Sequence, residues 1–164
     1  MSSPAADQVA ATAIRLLVER GATVATAESL TGGLVAAALT SVPGASAAFR
    51  GGIVAYTADL KASLLDVPAD LLARFGTVHR DVAIAMAQGA RIRLASSVGV
   101  ATTGVAGPDP ADGQPVGTVH MCVSTPAGQM HRSLELTGDR RQIRLDTVDH
   151  VLNLLVSALL EEIM

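Results

Sequence analysis

Aromatic residues are scarce in this sequence of 164 residues, which has no tryptophan, one tyrosine and two phenylalanines. It therefore lacks the aromatic platforms on which single-stranded nucleic acids stack. The net charge is −3, whereas a nucleic-acid-binding surface normally carries a basic excess. We expect a protein that does not bind nucleic acid.

Cysteine occurs once, at Cys122. A single cysteine cannot form an intramolecular disulfide or a cysteine-based zinc cluster, and this usage is typical of a reducing compartment. Long apolar runs are also missing, since no stretch reaches the ~18 residues of a membrane span. Residues 1–7 have no basic segment followed by an apolar one, as a secretory signal would. These absences predict a cytoplasmic protein with no membrane partner.

Metal-ligand spacings and the common hydrolase and nucleotide motifs are missing as well. No histidine pair shows a His-x-x-x-His spacing with a nearby carboxylate; the histidines are His79, His120, His131 and His150. Neither Gly-x-Ser-x-Gly nor Gly-x-x-x-x-Gly-Lys-Ser/Thr occurs, which excludes the α/β-hydrolase and P-loop classes. We expect neither a metal nor another cofactor.

The chain is instead rich in small apolar residues. Hydrophobic residues make up 49% of it, and 29 residues are alanine. The core must therefore consist of aliphatic side chains and closely packed alanine surfaces. Since a domain typically has ~100 to 200 residues, the length predicts one domain, residues 1–164.

Helical and strand patterns alternate along most of the chain. Apolar runs predict buried strands at 22–27, 51–56 and 98–103, and helical patterns occur at 3–20, 34–40, 58–65, 68–75 and 80–94. Alternating runs at 116–124 and 129–137 predict a hairpin, and residues 139–162 a final helix. This order favours a three-layer α/β/α sandwich with a mixed, mostly parallel sheet.

The first candidate functional residue is Ser29, which follows the first predicted strand. Its hydroxyl would point into the crevice beyond the carboxyl end of that strand, where ligands of open α/β sheets bind. Thr31, Gly32 and Gly33 would present backbone N–H groups to an anion, or to the oxyanion of an acyl-transfer intermediate. The alternative is an ordinary helix cap with glycines for a tight turn.

The second candidate is Lys61, the single lysine in a chain with eleven arginines. Arginine cannot accept a proton because its pKa stays above ~12, whereas burial can lower the pKa of a lysine from ~10.4 toward ~7 to 8. Lys61 lies five residues after Tyr56, beyond the second predicted strand. We interpret it as a deprotonable amine; the alternative is a surface lysine retained by chance.

Two further segments are candidates for the same crevice. Thr103 ends the third predicted strand and Gly104 begins the loop after it, which leaves the sheet in the same direction as the loops after the first two strands. The alternative is a simple turn. Arginines in the first turns of the last helix oppose its dipole, which prefers anions there. Arg140 and Arg144 are four residues apart, so one phosphate or carboxylate could contact both. The alternative is a solvated arginine face.

Five linked motifs together resemble the CinA C-terminal family, which includes nicotinamide mononucleotide amidohydrolases. They lie at residues 27–33, 51–61, 103–108, 115–118 and 138–140. The resemblance runs in order from about residue 9 to residue 160, nearly the whole chain. It implies a three-layer α/β/α fold with a mixed sheet.

The resemblance also implies an activity, the hydrolysis of nicotinamide mononucleotide to nicotinic acid mononucleotide and ammonia without a metal. It matches Ser29 to the nucleophile, Lys61 to its base and Tyr56 to a tyrosine of the same site. Arg140 and Arg144 would then hold the phosphate of this small-molecule substrate. The Ala-rich, apolar composition makes a homodimer or larger homo-oligomer plausible.

Three segments depart from the usual pattern of the family. Residues 76–79 read Gly-Thr-Val-His in place of Gly-Ala-Val-Ser, and residues 56–58 read Tyr-Thr-Ala in place of Tyr-Ser-Asn. The sequence 109–113 replaces a Gly-Gly pair. A second hypothesis is therefore a nucleotide-binding module without catalysis, and a third is a role associated with competence or DNA damage.

Overall fold

The computed structural model describes residues 3–161, over which helices and strands alternate before a hairpin and a last helix. The elements are α1 Pro4–Glu19, β1 Val24–Glu28, α2 Leu34–Thr40, β2 Phe49–Val54, α3 Ala58–Leu65, α4 Ala69–Phe75, α5 Arg80–Arg93, β3 Val98–Gly104, β4 Thr118–Thr125, β5 Gly128–Glu135 and α6 Arg140–Leu160. A short 3₁₀ turn, Ala45–Ala47, precedes β2.

The strands form one five-stranded sheet in the order β2-β1-β3-β4-β5. β1 runs parallel to both β2 and β3, whereas β4 and β5 are antiparallel additions. Glu28, the last residue of β1, is in register with Val54 and Thr102 on its two neighbours. Three parallel strands therefore end side by side, which creates the crevice in which such sheets bind ligands.

Helices cover both faces of the sheet, which confirms the predicted three-layer α/β/α fold with a mixed sheet. One core lies between the sheet and helices α1, α2 and α6, and it includes Val98 and Val100 of β3. The other lies between the sheet and helices α3, α4 and α5, and it includes Ala101. Successive residues of β3 thus enter opposite cores, as the two-residue period of a strand requires.

Small residues bring α5 close to the sheet. A Cβ atom added to Gly99 would lie 1.9 Å from the carbonyl oxygen of Ala87. Only glycine permits this approach of helix to strand. Alanines of α5 and β3, among them Ala83, Ala87 and Ala101, are buried in the same core. The abundance of alanine in the sequence therefore has a packing role on this face.

The observed β2 begins and ends two residues earlier than the predicted strand. Ala55 still donates its N–H to the carbonyl of Glu28 at 3.0 Å, but the chain then turns away from the sheet. The predicted strand extended to Tyr56, whose side chain is 54% exposed. The apolar run in the sequence continues past the last residue of β2 that pairs with β1. Periodicity alone does not show where this pairing ends.

Among the described helices, none combines the length and the apolar character needed to cross a membrane. Residues 3–161 also contain no group of three or more His, Cys, Asp or Glu side chains arranged to hold a metal ion.

Candidate active site

Ser29 and Lys61 meet at the carboxyl end of β1. The N–H of Ser29 donates to the carbonyl of Thr102 at 3.1 Å, which continues the sheet ladder and fixes the serine at the strand end. Lys61 lies in the middle of α3, and its Nζ donates to Ser29 Oγ at 3.0 Å. Ser29 is 7% exposed and Lys61 is fully buried. The structure thus brings two of the predicted site residues into direct contact.

The Lys61 amine is surrounded by neutral oxygen atoms. Besides Ser29 Oγ, it donates to the carbonyls of Ala55 at 2.8 Å and Tyr56 at 3.3 Å. Burial lowers the pKa of Lys61 to about 8, and the negative charge of Asp112 partly opposes this effect. Since burial penalises the charged form of an amine, the neutral form of Lys61 is present as a minor fraction near neutral pH, far more than for a lysine in water. A neutral amine beside a hydroxyl has the arrangement of a general base and its nucleophile.

The backbone after Ser29 forms a tight turn into α2. Gly32 has a φ of +58° and Gly33 a φ of +101°, a left-handed conformation that favours glycine. The Gly32 N–H donates to the carbonyl of Ser29 at 3.0 Å. Within residues 3–161, no hydrogen bond engages the N–H groups of Thr31 and Gly33. Two of the three predicted donors therefore have no backbone acceptor, although neither Thr31 nor Gly33 lines the cavity beside Ser29.

Glu28 caps α2, a role that the sequence analysis did not identify. Its buried carboxylate accepts from the N–H groups of Val35 at 2.8 Å and Ala36 at 3.1 Å. The protein thus supplies its own anion to the start of this helix. An acidic residue shortly before a predicted helix start was the available signal, but a side chain seven residues upstream is not a standard cap position.

A cavity of about 200 Å³ opens above Ser29. Its lining includes Ser29, Tyr56, Gly104, Asp109 and Arg140. Four of these were predicted site residues and Asp109 was not. The pocket joins the carboxyl ends of the parallel strands to the first residue of α6, so separate segments of the sequence meet at one crevice.

Four predicted site residues do not line this pocket, namely Thr31, Gly32, Gly33 and Thr103, and of these Thr31 and Thr103 are buried beside it. Thr31 Oγ1 lies 2.7 Å from Thr102 Oγ1, so the two hydroxyls share a hydrogen bond between the turn and β3. Thr103 Oγ1 donates to the carbonyl of Thr77 at 2.7 Å. Both side chains therefore hold neighbouring backbone segments in place.

The two predicted anion-binding arginines have different positions. Arg140 lines the pocket, where it donates to Tyr56 Oη at 2.8 Å and to the carbonyl of Gly107 at 2.6 Å. Arg144 lies outside the pocket lining and donates to the carbonyls of Leu30 at 2.8 Å and Thr31 at 3.3 Å. Arg144 thus fastens the Ser29 turn to α6, and we retain only Arg140 as a candidate ligand of a substrate anion.

Two of the segments that depart from the family pattern contact each other. Thr77 donates through both its N–H and its hydroxyl to Asp112 Oδ2, with the nitrogen at 2.7 Å. The hydrogen bonds from Thr77, together with the charge of Lys61, hold the pKa of Asp112 below its usual range. Neither Thr77 nor Asp112 was a predicted site residue, because their proximity depends on how two separate loops fold.

The histidine that departs from the family pattern is outside the pocket lining. His79 accepts the N–H of Asp81 at 3.2 Å, which caps α5, and its ring stacks on Phe75 at 3.9 Å. The N-cap position thus explains this imidazole in structural terms.

Comparisons with known proteins find relatives along nearly the whole chain. Residues 6–159 match the family described as the CinA C-terminal domain. The chain is 53% identical over 148 residues to a CinA-like protein of Frankia casuarinae, with 90% of this chain and 34% of the relative covered. It is 49% identical over 136 residues to a CinA-like protein of Parasynechococcus marenigrum, with 82% and 32% covered. The chain thus spans about a third of the length of these curated relatives.

Solved structures show the same architecture along nearly their whole length. The competence/damage inducible protein CihA of Agrobacterium tumefaciens superposes with a TM-score of 0.92 at 38% identity, with 96% of this chain and 97% of that chain covered. The competence damage-inducible protein A of Klebsiella pneumoniae superposes with a TM-score of 0.93 at 28% identity, with 96% and 98% covered.

Proposed function

The chain belongs to the CinA C-terminal domain family, and on that premise we propose that it is an amidohydrolase of nicotinamide mononucleotide. The products are nicotinic acid mononucleotide and ammonia. The observation that carries this proposal is the 3.0 Å contact between Lys61 Nζ and Ser29 Oγ in a buried site. Burial lowers the pKa of Lys61 to about 8, so a minor fraction of the amine is in the neutral form that a base requires.

In the proposed reaction, Ser29 Oγ attacks the carboxamide carbon while neutral Lys61 accepts the hydroxyl proton. Backbone N–H groups of the turn that follows Ser29, whose first residue Leu30 lines the cavity, stabilise the oxyanion of the tetrahedral intermediate. Protonated Lys61 then donates its proton to the departing nitrogen, and ammonia leaves an acyl-enzyme at Ser29. Lys61 next deprotonates a water molecule, whose attack releases the carboxylate product and restores the serine.

Arg140 binds the phosphate of the nucleotide in this proposal. Its guanidinium lines the pocket, and its contacts with Tyr56 and Gly107 hold it over the cavity. A planar guanidinium pairs well with phosphate oxygens. Tyr56 thus orients the arginine from the wall next to Lys61.

The test is ammonia release from nicotinamide mononucleotide by the purified chain, with Ser29→Ala as the control. We expect turnover by the unsubstituted chain and none by the variant. Turnover no higher than that of Ser29→Ala would contradict the proposal. Calorimetric binding of the nucleotide without turnover would instead support a nucleotide-binding module that lacks catalysis.

A further inference from the structure

One wall of the pocket comes from a tight turn at residues 109–113, which carries two aspartates and which we call the acidic turn. Asp109 contributes to the lining of the cavity together with Ser29 and Arg140. Ala111 and Gln114 exchange backbone hydrogen bonds of 3.2 and 2.9 Å, which close the turn. Asp109 and Ala111 of this turn thus lie in the wall of the cavity that opens beside Ser29, whereas Asp112 is outside the lining.

Thr77 fastens the acidic turn to the rest of the site. Its N–H and hydroxyl both donate to the carboxylate of Asp112, while its carbonyl accepts from Thr103 on β3. The two loops are also closely packed, because a Cβ atom added to Gly76 would lie 2.9 Å from Cβ of Asp112. The turn is therefore tied through Thr77 to the central sheet.

The two carboxylates of this turn reach the site in different ways. The charge of Asp112 is one of the two influences on the pKa of Lys61 at the base of the site. Asp109 lies in the lining itself, and Arg140 supplies a positive group elsewhere in the same cavity. The pocket therefore offers both an anion-binding arginine and a negatively charged wall.

We propose that the acidic turn, held by Thr77, makes this pocket selective for amides carried on a positively charged ring. The inference rests on the proposed amidase function and deepens it by assigning a determinant of substrate charge. A cationic ring between Ser29 and the turn is attracted by Asp109 and Asp112, whereas a neutral ring of the same shape is not. In a half-solvated pocket, charges a few ångströms apart change affinity by about 10-fold.

The experiment uses Ser29→Ala chains, which leave the amide intact, and measures binding by calorimetry. The two ligands are nicotinamide mononucleotide, whose ring is cationic, and its 1,4-dihydro form, whose ring is neutral. We expect the Ser29→Ala chain to prefer the cationic ligand and the added Asp109→Asn substitution to reduce that preference by about 10-fold. The reduction should come from weaker binding of the cationic ligand.

Glu19→Gln is the matched control, because it removes one negative charge at the opposite end of the fold. Glu19 is exposed at the end of α1 and forms an ion pair with Arg15 at 2.9 Å. It lies before the first residue of β1, whereas Ser29 follows the last residue of that strand. This substitution should leave the preference unchanged. Asp112→Asn is a second variant, and it too should lower the preference if the turn stays folded, as thermal melting will show.

An unchanged preference in both aspartate variants would overturn the inference, as would a Ser29→Ala chain that binds the two ligands equally or not at all. Failure of the proposed function has a different signature, which is the absence of ammonia release from the chain that retains Ser29. If the preference for the cationic ligand depends on Asp109 but no ammonia is released, the result would support the charge selectivity and contradict the proposed amidase function.

Discussion

Lys61 Nζ and Ser29 Oγ lie 3.0 Å apart although 32 positions separate the two residues in the sequence. The contact forms because β2 lies beside β1 and the chain then enters α3, whose fourth residue is Lys61. Both groups are buried, so their interaction is shielded from solvent. This pair supports a serine nucleophile with a lysine base.

Replacement of Lys61 by arginine keeps the positive charge and removes the proton acceptor, because an arginine pKa stays above ~12. We expect ammonia release to fall by at least about 100-fold, in line with the usual contribution of a general base. Lys61→Met, which removes the charge as well, should lose activity to a similar extent. Melting curves will check that both variants fold, and activity retained in a folded Lys61→Arg chain would contradict the base assignment.

The pH profile should report the titration of Lys61. In the proposed mechanism the neutral amine is the active form, and its pKa is about 8, so kcat/KM should rise with pH up to about 8 and then level off. Asp112→Asn removes a charge that raises this pKa, and the rise should move to lower pH. Because Lys61 is the only lysine, ¹³C-lysine NMR can follow its titration directly, and a midpoint near that of free lysine would contradict this expectation.

Arg140→Ala should weaken binding of a phosphate-bearing substrate. Loss of a charge-assisted hydrogen bond of ~1.5 to 3 kcal/mol predicts a 10- to 100-fold increase in KM, with a smaller effect on kcat. The corresponding riboside, which lacks the phosphate, is the control and should be hydrolysed equally well by both chains. Equal losses with nucleotide and riboside would argue against phosphate binding at Arg140.

Arg144→Ala should act through the Ser29 turn. It removes the donors to the carbonyls of Leu30 and Thr31, so the nucleophile is held less firmly. We expect a lower kcat with both nucleotide and riboside, together with a lower melting temperature. A change confined to the KM of the nucleotide would show instead that Arg144 binds the phosphate.

Glu28→Ala should destabilise the fold. It removes a buried carboxylate that accepts two N–H groups at the start of α2, and hydrogen bonds of this charged type contribute ~1.5 to 3 kcal/mol each. We expect the free energy of unfolding to fall by about 3 kcal/mol in urea titrations. Glu19→Ala, on the exposed surface of α1, should change it by less than about 1 kcal/mol.

The sequence alone determined the order of the elements and the position of Ser29 after the first strand. These are local properties, since apolar periodicity and turn residues act within a few positions of the chain. The scarcity of lysine identified Lys61 as a candidate base. This inference depends only on the residue type, so it required no knowledge of which residues lie nearby. The five motifs added the family, which the comparisons confirmed.

Only the tertiary structure decided which side chains meet. The strand order brings Lys61 into contact with Ser29. The packing of α6 places Arg140 in the pocket and Arg144 against the turn after Ser29. Two loops that are distant in sequence meet where Thr77 donates to Asp112. Local patterns do not encode these contacts, because each depends on how elements far apart in the chain are arranged around the sheet. The physical reason is that hydrogen bonds and charges act over a few ångströms of space, whatever their separation in sequence.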